Sequence, residues 1–114
     1  MKVAVIGSRN IRDFDAVYRL MCENIPKNCS EIVSGGALGA DSLAEKYAKE
    51  NGLHLTVFLP EYEKYGKMAT LIRNTKIMEY ADIVYAFWDM KSRGTAASIK
   101  KCIEIDKPFK IIKV

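Results

Sequence analysis

The residues best equipped for chemistry lie in three short stretches. They are Gly7-Ser8-Arg9, the run SGGALGAD from Ser34 to Asp41, and Trp88-Asp89 followed by Ser92-Arg93-Gly94-Thr95. Glycine, hydroxyl and arginine together suit a phosphate: glycine lets backbone N–H groups approach an anion, and a guanidinium makes charge-assisted bonds to it. Gly35, Gly36 and Gly39 crowd the start of a helix, whose dipole adds positive potential. Gly94-Thr95 repeats the arrangement before the last helix, where Thr95 either caps the helix or donates to a phosphate oxygen. SGGALGAD has no lysine and lacks the spacing G-x-x-x-x-G-K-[ST], so magnesium-dependent triphosphate hydrolysis is not indicated. A glycine at a strand-to-helix turn can also serve tight geometry alone. Two such turns accompanied by Arg9 and Arg93 favour a site.

Two carboxylates accompany these groups. Asp41, in a first helical turn, suits capping. It would repel a phosphate in direct contact, so any ligand role must involve hydroxyls or N–H groups. Asp41 and then Asp89 are the candidate catalytic residues. Arg73 and Asn74 share a helical stripe with Ile77, Met78 and Ala81 that should face the sheet. A buried arginine needs a partner, either a carboxylate such as Asp82 or Asp89, or a ligand phosphate or sugar hydroxyl. Trp88 can stack on a base or simply pack. Tyr62 and Tyr65 can cover the site or anchor their loop, and Lys64 and Lys67 are expected in solvent. His54 has no second histidine nearby, so no metal site is expected.

These stretches need a frame that brings them together. KVAVIG reads as a buried strand, EIVSG, HLTVFLP, DIVYAFW and FKIIKV read as four further strands, and helical patterns alternate with them. Asp13 caps a helix over about 14–25 with Val17, Leu20, Met21 and Ile25 on one stripe. Leu43, Ala44, Tyr47 and Ala48 face inward on the second helix, and Gly52 closes it. EYEKYGKM reads as a loop, and a helix follows it to about Tyr80. In the last helix Ile99, Cys102 and Ile103 are expected to face inward. Strict β–α alternation implies a parallel sheet covered on both faces. With right-handed crossovers the pattern predicts an α/β, Rossmann-like three-layer domain over 1–114, with five strands in the order 3-2-1-4-5. Such sheets bind ligands beyond the carboxyl ends of their strands, and all three stretches follow a strand.

The chain has 114 residues, 49% hydrophobic and 28% charged, which fits one globular domain and excludes a disordered chain. The apolar run in MKVAVIGSRN is too short for a signal peptide, and no run approaches membrane-spanning length, so a cytoplasmic location and no membrane partner are expected. Cys22, Cys29 and Cys102 show no pairing or zinc spacing, and Cys22 and Cys102 are expected to be buried. A net charge of +4 suits an anionic ligand but forms no basic arm.

With the strands and turns placed, the segments GSRN, IVSGGALGADSLAEKYAKENGL, YGKMATLIRN and ADIVYAFWDMKSRGTAASI resemble the YspA, YpsA-related members of the SLOG superfamily, in family order across nearly the whole chain. The superfamily also holds the lonely-guy phosphoribohydrolases and the DNA-processing protein A family. The resemblance implies a Rossmann-like fold, nucleotide or nucleotide-derived ligands, and a tendency to form homo-oligomers. It implies a phosphate pocket built from the Gly35-Gly36 and Gly94-Thr95 turns, with Arg73-Asn74 and Ser8-Arg9 matching family motifs. The chain departs from the family at Leu38, where arginine is usual, and at Thr70-Leu71, where Gly-Pro is usual. Against the phosphoribohydrolase motif G-G-x-G-T-x-x-E, Ser98 stands in place of the glutamate.

The expected function is therefore binding of a nucleotide or ADP-ribose-like small molecule, with no cofactor. An N-glycosidic hydrolase is the alternative, and it would need Asp41 or Asp89 near the ribose. Single-stranded DNA binding calls for a basic, aromatic-lined groove. The scattered lysines do not suggest one, so nucleic acid is not expected as a partner.

Overall fold

A computed structural model describes residues 1–114. β1 (Lys2–Gly7), β2 (Glu31–Ser34), β3 (His54–Val57), β4 (Ile83–Trp88) and β5 (Phe109–Lys113) form one parallel sheet in the order β3-β2-β1-β4-β5. Central β1 pairs with β2 on one side, Val3 opposite Ile32, and with β4 on the other, Val3 opposite Ile83.

The period-two alternation of β1 and β4 creates two cores. Val3, Val5, Tyr85 and Phe87 point to one face, where α1 (Phe14–Asn24) and α2 (Ala40–Glu50) bury Val17, Met21, Leu43, Ala44 and Tyr47. Ala4, Ile6, Val84 and Ala86 point to the other face, beneath Ile77 and Met78 of α4 (Ala69–Tyr80) and Ile99 and Cys102 of α5 (Arg93–Glu104). The fold is the three-layer Rossmann-like arrangement expected from the alternation. No helix is long and apolar enough to cross a membrane.

Several expectations need correction. Cys22 is exposed, since the α1 stripe buries Val17 and Met21 and turns position 22 outward. Ile103 is also exposed, one step past the stripe formed by Ile99 and Cys102. The segment read as a loop holds a helical turn, α3 (Tyr62–Tyr65), and a 3-10 turn over Gly66–Met68 that runs straight into α4. Its apolar residues are too few to show a helical period, so pattern reading could not detect the turns. This continuous entry brings Lys67 and Met68 toward the carboxyl edge of the sheet, where both line the cleft described next.

Candidate functional site

A cleft of about 830 Å³ opens beyond the carboxyl ends of β1, β2 and β4. Gly7, Ser8, Arg9, Gly35, Asp41, Arg73, Asn74, Asp89, Ser92, Gly94 and Thr95 all line it, so three distant stretches of sequence do converge. Asn10, Lys67, Thr70, Lys91 and Ser98 join them unforeseen. Ser98 had a readable signal, because it lies one helical turn beyond Thr95 on the same face.

The SGGALGAD turn is closed by the protein itself. Asp41 folds back into its own loop, and Oδ2 accepts the Ala37 N–H at 3.1 Å. The Gly36 N–H goes to Ser34 Oγ at 3.2 Å, and the Ala40 N–H to Ser8 O at 3.2 Å. The loop before α2 is thus drawn onto a carboxylate of the protein's own, while α2 itself has no side-chain cap. Its glycines face protein as well. A Cβ on Gly35 would lie 2.6 Å from Arg73 Nη1, and one on Gly36 2.8 Å from Leu59 Cδ2. A Cβ on Gly39 would meet Arg9 O at 2.7 Å, and its φ of +78° disfavours any side chain. Ser34, Gly36 and Gly39 lie off the cleft and serve internal packing, whereas Gly35, Ala37 and Asp41 of the same turn line it.

Arg73 is buried, and its partners are not the expected Asp82 or Asp89. Nη1 donates to Gly35 O and, at 3.4 Å, to Phe58 O, while Nε donates to Asn74 Oδ1 at 2.8 Å. Asp82 instead accepts the Lys2 N–H. Burial lowers the Arg73 pKa, with Asp41 acting in the opposite direction, and a guanidinium remains charged. Burial raises the Asp41 pKa against the pull of the Ala37 N–H and of Arg73.

The turn between β4 and α5 is built differently. Asp89 Oδ1 accepts the Lys91 and Ser92 N–H groups at 2.9 and 2.8 Å, and these bonds lower its pKa. Ser8 Oγ accepts the Asp89 N–H at 3.1 Å, tying this turn to the end of β1. Ser92 caps α5 through the Thr95 N–H, and the Thr95 hydroxyl donates to Ser92 Oγ at 3.2 Å. A Cβ on Gly94 would meet nothing within 4 Å, so this helix start is open to the cleft. Trp88 and Arg93 do not line the cleft. The Trp88 indole N–H donates to Ser92 O at 3.0 Å and its ring packs on the core, which replaces the idea of a base-stacking platform. Tyr62 and Tyr65 also lie away from the cleft.

A family model for the YspA, cpYpsA-related SLOG family (YAcAr) matches residues 1–65. The chain belongs to this family. This YAcAr-family chain is 30% identical over 102 residues to the Gene 61 protein of Mycobacterium phage D29, covering 82% of each chain. Its fold is similar to that of DNA processing protein A from Streptococcus pneumoniae, with a TM-score of 0.79 at 22% identity over 99% of this chain and 50% of that one. It is also similar to DNA processing protein A from Helicobacter pylori, with a TM-score of 0.75 at 23% identity over 97% of this chain and 64% of that one. The chain thus spans between half and two thirds of the length of these two proteins.

The Helicobacter structure describes a single-stranded DNA binding mode. That finding corrects the expectation that nucleic acid is not a partner, because a protein sharing this fold binds it. Scatter of lysines along the chain is no argument against such a partner, because Arg9, Lys67, Arg73 and Lys91 come from four segments and line one cleft.

Proposed function

We propose that the cleft binds a nucleotide or nucleotide-derived, ADP-ribose-like molecule through its phosphate, and that the domain acts as a binding module. The observation that carries this reading is an asymmetry across the cleft. On one side the buried Arg73 engages Nε and Nη1 within the protein and leaves Nη2 without a protein acceptor. On the other side lies the open start of α5, with Gly94 and Thr95 on the cleft wall. The α5 start, with an unpartnered Gly94 N–H, is complementary to phosphate oxygens, and the Arg73 guanidinium to other oxygens of the nucleotide across the cleft. A volume of about 830 Å³ lies in the range of small-molecule sites. Four cations, Arg9, Lys67, Arg73 and Lys91, outweigh the carboxylates of Asp41 and Asp89.

The hydrolase alternative has less support. Each of the two carboxylates on the cleft is tied to turn N–H groups, Asp89 through Oδ1 and Asp41 through Oδ2, and Ser98 stands where the phosphoribohydrolase motif has its glutamate. Single-stranded DNA is the second reading, supported by the shared fold and by the convergence of cations.

Calorimetric titration with nucleoside 5′-monophosphates, ADP-ribose and a thymidine oligonucleotide, each at two salt concentrations, tests both. Saturable binding of a mononucleotide with shallow salt dependence supports the first reading. Binding of the oligonucleotide alone, with a steep salt slope, supports the second. Free base released from a monophosphate would establish hydrolysis.

A further inference from the structure

The floor of the cleft holds two buried polar atoms of opposite character that the protein leaves unused. Asp41 and Arg73 are 9% and 7% exposed. Oδ2 of Asp41 takes the Ala37 N–H, the nearby Gly35 N–H also draws on the carboxylate, and no hydrogen bond closes on Oδ1. Nη2 of Arg73 likewise meets no acceptor, although Nε and Nη1 are both engaged. No fully buried side-chain nitrogen or oxygen lacks a partner, so neither free atom is sealed from solvent, and both residues line the cleft. The two groups converge on Gly35, where an added Cβ would lie 2.9 Å from Arg73 Cζ and 3.0 Å from Asp41 Oδ2. They are nevertheless not within ion-pairing distance of each other; the chain's salt bridges are Lys46–Glu50 and Lys76–Glu61. Each side chain is anchored by the SGGALGAD turn or its neighbours and held apart from the other.

An acceptor next to a donor at a buried wall is matched by a group that is both donor and acceptor. A phosphate satisfies Arg73 but is repelled by Asp41, whereas a hydroxyl satisfies both. Nη2 and Oδ1 therefore suit a pair of adjacent hydroxyls better than a second phosphate.

Position favours a sugar. Asp41 and Arg73 stand over the end of β2, and Gly94-Thr95 over the end of β4, with β1 between them. Two inter-strand spacings amount to about 10 Å, which a ribose 5-phosphate spans with a hydrogen bond at each end. The apolar side chains of Met68 and Leu71, more than half exposed at the rim, offer a surface for a base.

We infer that Asp41 and Arg73 form a ribose-reading pair, so that the cleft selects ribonucleotides over their deoxy counterparts. This inference rests on the nucleotide-binding reading above.

The test compares nucleoside 5′-monophosphates with their 2′-deoxy and 3′-deoxy forms on the wild-type chain, and then on Asp41→Asn. In the variant the amide oxygen keeps the Ala37 N–H and presents an NH₂ group where the free acceptor stood. The expected result is at least about a tenfold preference for the ribo form, equivalent to about 1.4 kcal/mol, reduced to within about threefold in Asp41→Asn. Equal affinity for ribo and deoxy forms overturns the ribose pair while leaving nucleotide binding intact. So does tighter binding of a deoxyoligonucleotide than of its ribo counterpart. If no mononucleotide binds, both the pair and the reading beneath it fail. The wild-type comparison stands alone should Asp41→Asn fold poorly.

Discussion

The two glycine turns look alike in sequence and behave differently in the structure. Each follows a strand, carries glycine and opens a helix. The turn before α2 gives its Gly36, Ala37 and Ala40 N–H groups to Ser34, Asp41 and Ser8 and packs its glycines against Arg73, Leu59 and the β1 turn. The turn before α5 holds Asp89 on its Lys91 and Ser92 N–H groups and is capped by Ser92 through the Thr95 N–H, but the Gly94 N–H has no partner within the chain and Gly94 faces open space. A glycine cluster therefore does not identify a ligand loop by itself. Both turns hold a carboxylate of the chain, and what separates them is whether other atoms of the chain already fill the space beside the glycines.

This contrast can be broken by substitution. The largest effect is expected for Gly39→Ala, which combines a left-handed φ with backbone contact to Arg9 and should cost about 3 kcal/mol or more in chemical denaturation. Gly94→Ala should hold stability or raise it by up to about 1 kcal/mol, because alanine is the better helix former and nothing obstructs its methyl group. If both variants unfold alike, the two turns are not different in kind.

Arg73→Ala leaves the carbonyls of Gly35 and Phe58 without their donor and should cost about 2 kcal/mol, together with loss of anion binding. An unchanged affinity in a folded Arg73→Ala would remove the β2 side from the site. Ser92→Ala takes away the α5 cap and should cost about 1 kcal/mol, read from its denaturation midpoint.

Asp89→Ala has the smallest effect and depends on pH. The folded-state pKa of Asp89 is lowered by the Lys91 and Ser92 N–H groups, so its contribution is complete above the unfolded value of about 4 and is lost as pH falls through the folded value. Wild type and variant should differ in melting temperature at pH 7 and converge in acid. Asp41 has the opposite sign. Its pKa is raised by burial, so its ionisation weakens the fold as pH rises past the unfolded value.

The frame was legible in the sequence because β–α alternation is a local pattern with one dominant solution. Strand order, both cores and the edge that carries the site follow from it. Which glycines serve packing was not legible, because the atoms that fill their space come from distant segments: Arg73 at Gly35 and the Ser8-Arg9 backbone at Gly39. The partners of Arg73 were missed for a related reason. A search among carboxylates overlooks backbone carbonyls, which carry no sequence signature. Lys67 is exposed as expected, and its place on the cleft was not legible because the turns that carry it there are too short to show a period.

The contrast between the turns is tested most directly by amide chemical shifts of the chain titrated with a nucleoside 5′-monophosphate. The account predicts the largest saturable changes at the N–H groups of Gly94 and Thr95 and at the Arg73 side chain, with Gly36 and Gly39 nearly still. Changes centred on Gly36 to Gly39, or none at saturating nucleotide, would contradict it.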